Sequence, residues 1–398
     1  MKRRFQGKFL ALIAACMVMP INSPALSASL NNSAGTTTKN AVGVIIPLTG
    51  KWESIGQKIL KGIETADGIF MDGPGTNVEY IIRDYGNDED SIPLLIKDLD
   101  DNHHVTGIIG PVGEHAGDIA CKEAQERHLP SIVFTQAEMP PRPGTYCFRN
   151  FLTIDLQAKA LLSTARSMGI TRFAVMIPDD RFGKTFAEKF QHMAPSFGIS
   201  VVRTIGYSPT NVDFKQQLKT LFPAPKKTPS PGKPGEKPLN RGSDFDAIFV
   251  PDTAANAAMI ASYLSYLNIR NIRLFGPTLW DTPDLLRVGG KNVENAVFLS
   301  GFYQGTVLSA AREFNTLFSS TFHYAPSSWE ASAYDTARIL QVFLQSQPPS
   351  RDGLREYLKG LKNYPGVSGT TSFSPDGALD KTVYILTVKD NAIYEIHP

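Results

Sequence analysis

FAVMIPDDRFGKTFAEKF, Phe173 to Phe190, puts an apolar run, an acidic turn and a helical segment in direct succession. The run has the composition of a buried strand, and the segment from Phe182 that of a helix. Gly183-Lys184-Thr185 invites comparison with a nucleotide phosphate loop. Such a loop needs a glycine five positions before that triplet, so that backbone N–H groups can wrap a phosphate. Pro178 stands there and has no N–H to give. Asp179 and Asp180 would meet the phosphates with like charge. What remains is a strand, an acidic turn and a helix start, with Phe182 at the rim.

The same alternation extends to both sides. Upstream, AVGVII (41–46), VEYIIRD (78–84), VTGIIG (105–110) and SIVFT (131–135) read as strands. Helices follow the first three, over Glu53 to Phe70, through Leu99, and over Ala116 to Arg127. The pattern restarts at YCFRNF (146–151). A helix over Leu156 to Met168, the quoted strand, a helix over Phe182 to Phe197, the strand ISVVRTI (199–205) and a helix over Asp213 to Phe222 come next. FDAIFVPD (245–252), an alanine-rich helix to Leu267 and IRLFG (272–276) continue it. Repeated strand–helix units predict parallel sheets joined by right-handed crossovers. Strands apolar throughout fit sheets covered on both faces. The C-terminal third differs. AVFLSGFY (296–303) reads as a strand, then Arg312 to Phe322, Glu330 to Gln345 and Ser350 to Leu361 as helices. The end reads as strands, with Asp390-Asn391 turning a hairpin.

The chain has 398 residues, room for two domains, and a formal charge of +2. That charge misleads. Residues 1–27 carry Lys2, Arg3, Arg4 and Lys8 with no acid, and 223–243 carries a net +4, so the remaining body stands at −6. A mildly acidic body gives no sign of a nucleic-acid surface. Residues 1–27 pair a basic start with an apolar run from Phe9 to Ile21 and read as an export signal, too short to span a bilayer stably. Two readings of its fate stand side by side. Ala25 and Ser27 suit cleavage after Ser27, and Ile13-Ala14-Ala15-Cys16 resembles a bacterial lipoprotein box that would leave Cys16 lipid-modified. Either puts the protein in the periplasm or cell envelope, with the membrane touched only through a lipid anchor. Residues 28–40 read as a flexible tether, and the Pro-, Gly- and Lys-rich 223–243 as a disordered insertion. Export permits a bridge between Cys121 and Cys147, and two buried free thiols are the alternative.

The run VGVIIPLTGKWESIGQKILKGIETA (42–66) resembles the opening of type I periplasmic binding proteins of the leucine/isoleucine/valine kind. RDYGND (83–88), GIIGPVGE (107–114), LPSIVFTQA (129–137), CFRNF (147–151), AVMIPDDRFGK (174–184), DAIFVPD (246–252), LFGPTLW (274–280) and EASAYDTARIL (330–340) follow in the family's order. The resemblance implies an α/β fold of two Rossmann-like lobes, parallel sheets flanked by helices, joined by three crossings with a ligand cleft between. It places lobe 1 at 41–150 and 304–365, and lobe 2 at 151–303 and 366–398. The crossings fall near Arg149–Phe151, Ser300–Tyr303 and Pro365–Gly369.

Ligands of open α/β sheets bind outside the carboxyl ends of the strands. Those loops supply Trp52, Gly113, Glu114, His115, Gln136, Ala137 and Glu138 from lobe 1. Lobe 2 supplies Asp180, Phe182, Asp252, Thr253, Thr278 and Trp280, and Trp329 and Tyr334 open a helix near the rim. Each has a plain structural alternative, as loop packing or as a helix cap. The resemblance also marks departures. Relatives that bind amino acids hold the ligand carboxylate with hydroxyls, where this chain has Glu114 and Glu138. The acid they use for the ligand ammonium falls on Thr278. A leucine-like ligand is therefore not expected. The opening also looks like that of penicillin-binding-protein activators, many of them lipoproteins.

No zinc spacing surrounds His103-His104, and HExxH, GxSxG and dinucleotide GxGxxG motifs are absent. The expectation is a binding protein and not an enzyme, without metal or cofactor. It would deliver a small polar molecule, amino-acid-like or related, to an ABC permease; the alternative is a regulator of cell-wall synthesis that binds a penicillin-binding protein.

Overall fold

Two parallel sheets carry the architecture. The computed structural model describes residues 40–68, 76–137, 144–210, 212–223, 244–346 and 348–397. Residues 1–27, read as an export signal, with Cys16, then Glu138 and residues 224 to 243 lie outside them, as does Phe70, the expected end of the first helix.

The first sheet comprises β1 (Asn40–Ile46), β2 (Val78–Asp84), β3 (Gly107–Val112), β4 (Ser131–Phe134) and β5 (Cys147–Arg149), in the order β2-β1-β3-β4-β5. β1 and β2 pair in parallel along their full length, Asn40 opposite Val78 and Ile46 opposite Asp84. Between the strands run α1 (Glu53–Asp67), α2 (Ile92–Asp101) and α3 (Glu114–Arg127). Gly68 ends α1 in the left-handed region, φ 73°, where a side chain would be strained.

Next come α4 (Ile154–Ser167), β6 (Arg172–Pro178), α5 (Arg181–Met193), β7 (Ser200–Tyr207), α6 (Lys215–Leu221) and β8 (Ala247–Phe249). α7 (Ala254–Tyr266), β9 (Arg273–Gly276), α8 (Asp284–Gly289) and β10 (Val297–Ser300) complete this unit. The expected long helix over Phe182 to Phe197 stops at Met193 and ends in a 3-10 turn, Ala194–Phe197. Pro195 cannot donate the next helical hydrogen bond. Buried Phe173, Phe186, Phe190, Phe249 and Phe275 fill one face of this sheet. Each such side chain contributes roughly 1.5–3 kcal/mol by leaving water.

The C-terminal third holds α9 (Ser309–Phe322), α10 (Ser328–Ser346) and α11 (Arg351–Gly360). A small antiparallel sheet follows, of β11 (Tyr364–Gly366), β12 (Gly369–Phe373) and β13 (Leu379–Lys381). β14 (Tyr384–Lys389) and β15 (Ala392–Glu395) then join the second sheet, whose order is β15-β14-β10-β9-β8-β6-β7. Asp390 and Asn391 both take positive φ, 50° and 58°, as the expected two-residue hairpin turn requires.

Two readings are corrected. Strands are not apolar throughout, because β2 and β7 are sheet edges: β7 alternates in burial, and β2 exposes Glu79, Ile82 and Asp84. The last passage between lobes is displaced from 365–369. Phe373 lies in the first lobe's core against Phe148, and Gly377 abuts Thr145 and Cys147, so the chain leaves that lobe only after Lys381.

α10 packs along α1 because Gly62 lets their backbones meet. A Cβ on Gly62 would lie 2.3 Å from the Glu330 carbonyl oxygen. This contact sets the start of α10 beside Lys58, one turn earlier on α1.

Candidate functional site

A cavity of about 220 Å³ opens between the two sheets. The first lobe contributes Lys58 from α1, Gln136 after β4, and Ser327, Ser328, Trp329 and Ser332 at the start of α10. The second contributes Thr278, Leu279, Asp281 and Thr282 from the loop after β9. Phe151, Leu152 and Gly301 line it where the chain passes between the lobes.

The α10 start is locally fixed. Glu330, fully buried, accepts the Ser327 N–H at 2.8 Å and the Ser327 hydroxyl. The Ser327 hydroxyl in turn accepts the Trp329 N–H at 3.4 Å, and this cap holds the first turn still. Trp329 stacks on Phe151, ring centroids 4.1 Å apart and 19° from parallel. Ser332 is 3 % exposed and its hydroxyl has no partner among the described residues. Lys58 likewise makes no ion pair among them.

On the other wall, the Thr278 N–H and hydroxyl both donate to Gln157 Oε1 at 3.1 Å. Asp281 contacts the hydroxyl of Ser300, which also accepts the Phe302 N–H at 3.0 Å. Burial pushes the Asp281 carboxyl up to about 6, against the opposing hydrogen bond from Ser300. The cavity thus has a basic and hydroxyl-bearing wall, an acidic wall, and aromatic and aliphatic groups between. That is the make-up of a small-molecule site.

A family model described as periplasmic binding protein matches residues 40–392. The chain belongs to the periplasmic binding protein family. Solved structures agree on the fold. A Rhodospirillum rubrum structure described as a branched-chain amino acid ABC transporter superposes with TM-score 0.75 at 21% identity, covering 89% of this chain and 99% of that one. The branched-chain amino acid substrate-binding protein LivJ of Streptococcus pneumoniae, in complex with isoleucine, gives 0.66 at 20% identity, over 90% and 99% of the two chains. A solute-binding protein of Rhodopseudomonas palustris, in complex with 3,4-dihydroxybenzoic acid, gives 0.67 at 22%, over 89% and 95%. No curated protein sequence matches the chain. The resemblance read from the nine sequence landmarks is borne out, and the family is one of extracytoplasmic, non-enzymatic solute-binding proteins.

In this periplasmic binding protein the structure gathers few of the residues read from sequence. Gln136, Thr278 and the rim residue Trp329 line the cavity, whereas Tyr334 is outside the lining and packs on Phe314. Glu114 stands at the start of α3 and binds Arg181 at the start of α5, 2.6 Å away, while its neighbours Gly113 and His115 are outside the cavity lining. Ala137 is also outside it, its N–H on the Thr135 hydroxyl. Trp52 is 42 % exposed, with the Lys51 ammonium over its ring. Asp180 caps α5 by accepting the Gly183 N–H, and Phe182 packs edge-on against Phe186. Asp252 is 5 % exposed and accepts from the Tyr207 hydroxyl, the Asn256 amide and the Thr253 N–H. Thr253 caps α7.

Trp280 corrects the expectation of a cleft wall. It is fully buried in the second lobe's core, and a Cβ on Gly276 would overlap its ring at 2.0 Å. Gly276 therefore makes the slot into which the indole turns, away from the cavity. Lys58, Asp281 and Ser332 went unnoticed. One signal was available: the Ser-x-x-Glu cap of Ser327–Glu330 marks a helix start, and helix starts face clefts.

The Cys121 and Cys147 sulfurs are joined, with Cα atoms 5.1 Å apart. The bridge ties α3 to β5, from which the chain runs into Asn150 and the first passage between lobes.

Proposed function

We propose that the protein captures a small polar solute between its lobes and presents it to an ABC-type permease. The observation that carries this reading is the cavity bounded by both sheets, with Lys58 on one wall and Asp281 on the other. A solute held by both walls favours closure about the passages, and the closed form is what a permease can distinguish from the empty one. The isoleucine and dihydroxybenzoate complexes of fold relatives support a small organic ligand.

The test is a thermal-shift screen of the purified chain against amino acids, organic acids, polyamines and sugars. A ligand at 100-fold excess over its Kd adds about 2.7 kcal/mol. A shift from one chemical class is expected. No shift from any compound would overturn transport and favour the regulator of cell-wall synthesis. One observation favours that second reading: Glu114, in the loop where relatives hold a ligand carboxylate, is engaged by Arg181 instead.

A further inference from the structure

The cavity's charges and shape restrict the ligand beyond "small and polar". Lys58 has no ion pair among the described residues, and the 97 % buried Ser332 turns an unpartnered hydroxyl to the same space. Ser328, at the first turn of α10, lines it beside them. An ammonium, two hydroxyls and a helix N-terminus converge as an anion receptor. Across the cavity Asp281 is the one acid among the lining residues; the Ser300 hydroxyl takes its Oδ2, and Oδ1 is left to accept from a donor. Trp329 and Phe151 form an apolar aromatic wall between the two ends.

The geometry points to a monocarboxylate with an apolar, ring-sized body and an amino or hydroxyl donor at the end remote from its acid. The carboxylate lies on Lys58, Ser328 and Ser332, the body along Trp329 and Phe151, and the donor on Asp281. This assignment rests on the solute-binding reading above. An α-amino acid with an apolar side chain, such as leucine, carries both polar groups on one carbon and offers Asp281 no donor at its far end. A dicarboxylate sets like charge against Asp281. The size is consistent: an apolar cavity of about 150 Å³ holds benzene, and this one measures about 220 Å³.

The test uses 4-hydroxybenzoate and 4-aminobenzoate as probes, with L-leucine and terephthalate as comparators, in calorimetry and thermal shift. The two para-substituted acids should bind, and leucine and terephthalate should not. Lys58→Met and Ser332→Ala should each weaken 4-hydroxybenzoate at least tenfold. Asp281→Asn should admit terephthalate, a gain of binding that an unfolded variant cannot give. Leucine or terephthalate binding the unaltered protein as well as the para acids would overturn the assignment. So would a shift confined to a sugar or polyamine, which would leave solute binding standing. Silence from every compound would overturn both.

Discussion

Glu114 Oε1 lies 2.6 Å from the Arg181 guanidinium, joining the start of α3 in one lobe to the start of α5 in the other. Both side chains are well exposed, so the pair adds little to folding. In the closure proposed above the pair would act as a clasp, because it forms only when those helix starts approach. Arg181→Ala should change the denaturation free energy by less than about 1 kcal/mol. It should raise the ligand off-rate by a factor that shrinks with added salt. Exchanging the charges, Glu114→Arg with Arg181→Glu, should restore the rate; stopped-flow fluorescence would show an unrestored rate if closure does not use the pair.

The Asp281 carboxyl gives a pH signature. Burial raises its pKa to about 6, so the native state holds this proton more tightly than the unfolded chain. Ionising it costs stability progressively from about pH 4 to pH 6, and the cost is complete above that. Asp281→Asn should match the unaltered protein near pH 4. It should exceed it at pH 7.5 by on the order of 1–3 kcal/mol. Urea denaturation at the two pH values checks this, and a difference independent of pH would refute it.

A second buried charge lies at the lobe passages. Asp335, 1 % exposed, accepts the backbone N–H groups of Val367 and Ser368 at 2.7 and 2.8 Å. Lys381, 5 % exposed, donates to Asn150 Oδ1 and Thr371 Oγ1 at 3.1 and 2.6 Å. Burial holds the Lys381 ammonium down to about 8, and Asp335 opposes that shift. Burial likewise raises Asp335, with Lys381 opposing. Lys381→Met leaves the carboxylate without its neighbouring cation and should cost about 3–5 kcal/mol. Asp335→Asn combined with Lys381→Met should cost less than the two single changes added together. Strict additivity in chemical denaturation would show that the charges do not couple.

The disulfide closes a span of 26 residues between α3 and β5. In the chain-entropy account a loop of that length is worth about 3.5 kcal/mol. Cys121→Ser with Cys147→Ser should lower stability by about that amount. Reductant should have the same effect on the unaltered protein and none on the double variant.

The order of strands and helices was legible because βα units write burial into composition, as in AVGVII and FAVMIP. Edge strands β2 and β7 were overcalled as apolar, since position in a sheet is a long-range property. The site was less legible. Thr278 and Gln136 were reached by counting loops at strand ends. Asp281 and Lys58 depend on which way a turn and a helix face. That is decided by contacts distant in sequence: Gly276 admitting Trp280, and Gly62 admitting α10.

Two of the three tryptophans, Trp280 and Trp329, should part in experiment. Trp280 fills the second lobe's core, buried with no acceptor for its indole N–H among the described residues. Its replacement by Ala should cost about 3–5 kcal/mol through the cavity it leaves. Ligand affinity, measured on the folded fraction at low temperature, should barely change. Trp329 is half-buried, and one neighbour, Phe151, carries its stacking. Trp329→Ala should therefore cost far less stability while removing most of the ligand's apolar contact, weakening binding at least tenfold. If calorimetry showed the reverse, affinity lost with Trp280 and kept without Trp329, the solute would have to lie deeper in the second lobe than this cavity.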